Sequence, residues 1–182
     1  MAVERLYRPS VRGYFYPADP KALALELARL TGYPGPSGAR RGAGPGGRSV
    51  TAAIVPHGGF QYAGPVAGAA LSCVDVPHRC IIVSPRHVGG LQRWSLTAAG
   101  ACETPLGEIP IEDALAGALQ DACPLLVEDA VEPSLDHGIE VVLPFLQWLG
   151  PADLAVVGLM TDSEDPDECE QVAEALATVI RH

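Results

Sequence analysis

The chain is poor in lysine, in aromatic residues and in charge overall. Lys21 is its only lysine, aromatics make up 5% and Asp, Glu, Lys and Arg together 19%. The 22 acidic residues outnumber the 12 basic ones, which gives a formal net charge of −10. The arginines are scattered rather than clustered. Such a surface repels a phosphate backbone, so nucleic acid is not an expected partner. No apolar run approaches the ~20 residues that cross a bilayer. Residues 1–12 carry charge and have no apolar signal core. A soluble cytoplasmic protein with no membrane partner is the expectation. The five cysteines, Cys73, Cys80, Cys102, Cys123 and Cys169, form no CxxC pair and are odd in number. That argues against a disulfide framework and for a reducing compartment. Phosphate-binding signatures are missing as well: there is no GxxxxGK[ST], and no GxGxxG follows a strand. Ser84 and Ser134 lack the GxSxG setting of a hydrolase elbow.

What is present is a globular composition, 48% hydrophobic over 182 residues, enough for one domain with a real core. Residues 1–19 read as an arm punctuated by Pro9, Gly13 and Pro17 that tucks Tyr14, Phe15 and Tyr16 onto the domain. Asp19 and Pro20 open a helix as N-cap and first helical residue, Leu23, Leu25, Leu27 and Leu30 fill it, and Gly32 ends it. Residues 32–49 are dense in Gly and Pro and read as a flexible loop. The run from Val50 to Val55 reads as a strand buried on both faces. A helix is expected from Pro65 through Leu71, and strands over Cys80–Val83, Trp94–Ala99 and Leu154–Leu159. Further helices fit Asp113–Ala122, Gly138–Leu149 with a kink or restart at Pro144, and Glu168–Ile180. Thr104–Gly107 reads as a turn. Strands that alternate with helices and lack internal alternation point to an α/β fold, a mainly parallel or mixed sheet flanked by helices.

In open α/β sheets ligands gather beyond the carboxyl ends of the strands. Two of the expected strands run there into histidine, as Pro56-His57-Gly58-Gly59 and as Ser84-Pro85-Arg86-His87. A third runs into Thr161-Asp162-Ser163. Imidazoles at equivalent strand ends can converge on one metal ion, and two histidines with a carboxylate suit non-heme iron. The competing reading makes both histidines ordinary turn residues. A further cluster, Asp136-His137-Gly138-Ile139-Glu140, puts His137 and Glu140 on one helical face. That pair suits a ligand with its supporting partner, or a general base with its orienter. Asp136 equally suits a helix cap. Glycines around His57 and Tyr62 allow close approach of a ligand.

Taken in order, these stretches resemble the Memo family, also called AmmeMemoRadiSam system protein B. Arg8-Pro9-Ser10-Val11-Arg12-Gly13-Tyr14-Phe15-Tyr16-Pro17 resembles its opening signature, and Pro56 to Pro65 its PHxGYxYSGP segment. Ser84-Pro85-Arg86-His87 is similar to its GPSH turn, and Thr104-Pro105-Leu106-Gly107 to a further short signature. Asp136 to Glu140 followed by Leu143-Pro144-Phe145-Leu146-Gln147 is similar to EHSLE…LPFLQ. The resemblance implies a fold like that of class III extradiol dioxygenases. It also implies a metal, Fe(II) first with Cu or Zn as alternatives, on His57 and His87. His137 would be the acid/base and Glu140 its orienter, with Tyr62, Arg86 and Asp136 in the substrate pocket. The family pattern continues into an SSDxxHYG-like segment and a late Cys or His ligand, and neither follows Leu159 here. The expectation is one Memo-like domain over 1–182, incomplete at its C-terminus: a fragment or frame-shifted product, a shortened paralogue completed by a partner, or a rebuilt site with Asp162 or Glu140 as replacement ligand. Gly138 stands where the family has Ser, and Arg86 puts a cation beside His87.

Three functions follow as expectations. The first is a metal-dependent, dioxygenase-like oxidoreductase. The second is a non-catalytic binding or assembly protein working with radical SAM and AMMECR1-like partners, with a second copy or with a completing subunit. The third is a zinc hydrolase, which no residue specifically favours.

Overall fold

The computed structural model describes residues 5–35, 50–87, 89–128 and 135–180. From residue 36 on, the expected Gly/Pro-rich loop lies outside them, as does Ser134. The described chain forms an α/β layered fold with a mixed sheet. In chain order the elements are β1 (Leu6–Tyr7), α1 (Pro20–Thr31), α2 (Gly64–Ser72), β2 (Arg79–Pro85), β3 (Trp94–Leu96), β4 (Ala101–Thr104) and β5 (Gly107–Pro110). They continue with α3 (Asp113–Ala122), β6 (Val127–Glu128), α4 (His137–Glu140), α5 (Leu143–Leu149), β7 (Ala155–Thr161) and α6 (Pro166–Ile180).

Local chemistry sets the helix ends. The Asp19 carboxylate accepts from the Ala22 N–H at 2.8 Å, Pro20 occupies the first turn, and Gly32 closes α1 at φ 74° with its N–H on Ala28 O. Leu23, Leu27 and Leu30 of α1 are buried, whereas Leu25 faces solvent. The segment expected as one kinked helix from Gly138 to Leu149 is two. α4 stops at Glu140, and α5 restarts with Pro144 in its first turn, where its missing N–H does no harm.

The main sheet has the order β2-β7-β3-β6, with β2 parallel to β7, β3 antiparallel to β7 and β6 parallel to β3. A smaller sheet has the order β1-β4-β5, with β4 and β5 a tight hairpin where the sequence suggested only a turn. It joins the main sheet through the Glu112 N–H on Val156 O. Two hydrophobic cores cover the two faces of the main sheet. One gathers Leu23, Leu27, Leu71, Phe145 and Leu146 from α1, α2 and α5, together with Val156 and Met160. The other gathers Ala116, Leu119, Val172 and Ala175 from α3 and α6, together with Val157 and Leu159. β7 lies between them, which is why its sequence reads as a continuous apolar run rather than an alternating one.

One expected strand does not form. Val50 to Val55 belongs to neither sheet, Thr51 to Ile54 are exposed, and the Ile54 side chain is wholly in solvent. An apolar run becomes a strand only where a neighbour accepts its backbone groups. Among the described residues none pairs with it. β2 in turn forms an outer strand of the main sheet among the described residues, with Val83 half exposed.

Candidate metal centre

Parallel β2 and β7 end on the same side of the sheet, and the site is built there. Two residues past β2 comes His87. The loop before α2 carries His57, and the first residue of α4 is His137. These three histidines form one group, each offering a ring nitrogen, and those atoms all lie within 4.8 Å of one another. His57 Nε2 and His87 Nε2 are 3.2 Å apart. Ring centroids are 3.9 Å apart for His87 and His137, 5.0 Å for His57 and His87, and 6.0 Å for His57 and His137.

The His87 ring is held in place by a buried carboxylate. Asp136 is fully inaccessible; one oxygen accepts the His87 N–H at 2.6 Å, and the other accepts His87 Nδ1–H at 2.8 Å and the Gly138 N–H at 2.9 Å. Burial pushes the Asp136 carboxyl up, but these hydrogen bonds and the His87 ring outweigh it and hold the group below the usual carboxylate range. An ionised Asp136 accepts only, so Nδ1 of His87 carries the proton and its Nε2 lone pair is turned toward His57. A carboxylate that fixes the tautomer of a ligating imidazole is the recurrent support of histidine–metal sites.

His137 is prepared by a different route. Burial first, then the neighbouring His87 and His57 rings, hold its imidazole below the ordinary histidine range, against the opposite pull of Asp136 and Glu140. The neutral ring is the form that ligates a metal. The donor set therefore fits a divalent transition metal. Nitrogen ligands sit at about 2.0–2.1 Å from such an ion, so two on one ion are about 2.9–3.4 Å apart. The separation of the His57 and His87 nitrogens lies in that interval.

The remaining expected site residues are distributed around this group. Glu140 is 1% exposed and does not bond His137. One of its oxygens accepts the Ser10 N–H at 2.7 Å and the Ser10 hydroxyl at 2.9 Å; the other accepts the Val11 N–H at 3.0 Å and the Tyr16 hydroxyl at 2.8 Å. The Arg86 guanidinium donates to Gln92 O at 3.0 Å and to the Ser95 hydroxyl at 2.6 Å, so it is engaged at the approach to β3. Tyr62 is 80% exposed beside α2. Asp162, past the end of β7, is exposed and bonds through its N–H to Arg93 O; it is outside the histidine group.

Two neighbours of the site went unread in the sequence. Phe15, in the arm, sets its ring edge-on to His137 with centroids 5.2 Å apart, and its carbonyl accepts the Phe60 N–H at 2.7 Å. The signal available was the aromatic cluster Tyr14-Phe15-Tyr16 in the opening signature. Ser84 is the other. Its buried hydroxyl occupies the space beside Gly138, where a Cβ would come within 2.0 Å of Ser84 Oγ. The space beside Gly138 is thus taken by a hydroxyl reaching in from β2.

A model of the Memo-like protein family matches residues 7–182. Similar proteins include a MEMO1 family protein of Methanopyrus kandleri, 30% identical, with 94% of this chain and 62% of the relative covered. A MEMO1 family protein of Sulfolobus acidocaldarius is 33% identical, covering 94% of this chain and 63% of its own. One of Metallosphaera sedula is also 33% identical, with 93% and 61% covered. The chain spans less than two thirds of the length of these relatives. Among the described residues no helix is long and apolar enough to cross a membrane. With the match running over nearly all its residues, the chain belongs to the Memo family, and it carries a three-histidine group that could hold a metal ion.

Proposed function

We propose that the protein binds one divalent transition-metal ion through His57, His87 and His137 and uses it in oxidoreductase chemistry of the dioxygenase kind. The observation that carries this reading is the pair of facing Nε2 atoms of His57 and His87, 3.2 Å apart, with the His87 ring held through its Nδ1 by the buried Asp136. His137 takes the place of the third ligand for which the sequence suggested Asp162 or Glu140. Iron(II) is the first choice of metal, with copper or zinc as alternatives, since imidazole suits all three. When bound, such an ion supplies Lewis acidity and, for iron or copper, redox chemistry. The protein's own residues do the rest. Asp136 fixes the tautomer and direction of His87, Phe15 walls His137 on one side, and the exposed Tyr62, five residues past His57, would meet a substrate.

Metal analysis of protein purified without a His tag tests this. About one equivalent of metal is expected in the wild type, and the His57→Ala/His87→Ala double variant should lose it. Unchanged metal content in that variant overturns the assignment. A second reading assigns the protein no turnover of its own. In it the protein is a binding or assembly component acting with radical SAM and AMMECR1-like partners. Size-exclusion chromatography with and without those partners separates the two. A monomer that ignores both and holds stoichiometric metal speaks for the first.

A further inference from the structure

We propose that Glu140 is a positioning residue for the histidine group, acting through the N-terminal arm, and that the segment from Ser10 to Tyr16 is a brace between the two parts of the chain that carry His57 and His137. This rests on the metal reading above. Glu140 lies three residues after His137 on α4, yet its side chain is buried and its oxygens bond the arm. Among the described residues, the four donors to its oxygens come from the arm: two backbone N–H groups, the Ser10 hydroxyl and the Tyr16 hydroxyl. None is a cation, so the carboxylate draws its compensation from a segment more than 120 residues earlier in the chain. A buried carboxylate is tolerated only when its lone pairs are so satisfied, which fixes the arm as firmly as it fixes Glu140.

The other side of the same arm meets the site. The Phe15 carbonyl accepts the Phe60 N–H, three residues past His57, and the Tyr16 and Phe60 rings pack with centroids 5.6 Å apart. The Phe15 ring rests against His137. One short segment is therefore tied to the His57 loop by backbone, to His137 by ring contact, and to α4 by Glu140. Histidines 57 and 137 come from separate segments, and the arm is what spans them. Loosening its anchor should let the two drift in relation to each other while His87, pinned separately by Asp136, keeps its place.

The experiment compares wild type, Glu140→Gln and Tyr16→Phe by cobalt(II) titration, monitored through the visible spectrum of the ion. Thermal unfolding of the metal-free proteins is measured alongside. Glutamine keeps the shape of Glu140 but turns an N–H₂ toward donors. Tyr16→Phe removes one donor and leaves three, so it remains informative should Glu140→Gln fail to fold. The expected result is cobalt affinity lowered about tenfold or more in Glu140→Gln, the range for loss of a supporting contact. Tyr16→Phe should show a smaller loss, and both an altered spectrum. Lowered melting temperatures with wild-type cobalt affinity and spectrum would make Glu140 a structural anchor alone and overturn the proposal. If wild type takes up no cobalt, the metal reading fails instead. The brace is then read from the His137 ring resonances of the metal-free protein, which sense the Phe15 ring. Resonances unchanged in both variants overturn it there too.

Discussion

Gly138 is the position beside the histidine group where one added methyl group should do harm. A Cβ built there lies 2.0 Å from Ser84 Oγ, 3.3 Å from Ser84 Cβ and 3.3 Å from Asp136 Oδ1. Ordinary contact is about 3.5 Å or more, so Gly138→Ala forces an adjustment of over an ångström between α4 and β2. Either the buried Ser84 hydroxyl turns off its position or the first turn of α4 lifts from the strand. Overpacking of this kind costs about 1–3 kcal/mol. An overlap this deep belongs in the upper half of that range, and alanine returns up to about 1 kcal/mol of helix propensity over glycine, leaving a net loss of about 1–2 kcal/mol. Removing the oxygen as well, in Ser84→Ala/Gly138→Ala, leaves only the two tight 3.3 Å approaches, to the Cβ of residue 84 and to Asp136 Oδ1. The pair should then recover most of the loss, with a coupling of about 1 kcal/mol or more, as expected of touching residues. Urea denaturation of the four proteins of the cycle measures this, with unchanged m-values confirming that the same surface unfolds. Gly138→Ala as stable as wild type, or a cycle with no coupling, would refute the interlock.

Two further outcomes follow from the same structure. Asp136→Asn should weaken metal binding about 10- to 100-fold, as followed by competition with a chelating dye. The folded Asp136 carboxyl titrates below its unfolded value of about 3.9, so its stabilisation is present above that pH and disappears as pH falls through the folded value. The variant should accordingly lose part of the acid dependence of unfolding below about pH 4, which an acid titration followed by circular dichroism checks. Among the cysteines, Cys73 and Cys169 are exposed, whereas burial pushes the Cys80 thiol up to about 11 and that of Cys102 up to about 12. Iodoacetamide on the native protein should label Cys73 and Cys169 within the time that leaves Cys102 untouched, as read by mass spectrometry, and all of them after unfolding.

The sequence disclosed most where the deciding chemistry is local. Asp19, Pro20 and Gly32 mark the ends of α1 by cap and backbone preference alone, and Pro144 marks the restart at α5. Histidines 57 and 87 were read as converging, and they do, although the run before His57 is no strand. That reading failed because pairing is a property of the neighbour as much as of the run. The hairpin of β4 and β5 was hidden for a related reason: strands of four residues are too short for alternation to stand out from noise. Glu140 shows the limit of spacing arguments. Residues three apart share a helical face, but α4 is a single turn, so His137 serves one neighbourhood and Glu140 another. Nothing in the local pattern names Ser10, Val11 and Tyr16 as the donors it meets, because that meeting is made by the fold.

β7 lies against both cores at once. Val156 and Met160 contribute to the one beneath α1, α2 and α5, Val157 and Leu159 to the one beneath α3 and α6. Stripping either helical layer would lay bare one side of a strand whose other side is still loaded, with no alternating polar residue to greet the water. The two halves of the molecule therefore share a keystone, and they should come apart together rather than in turn.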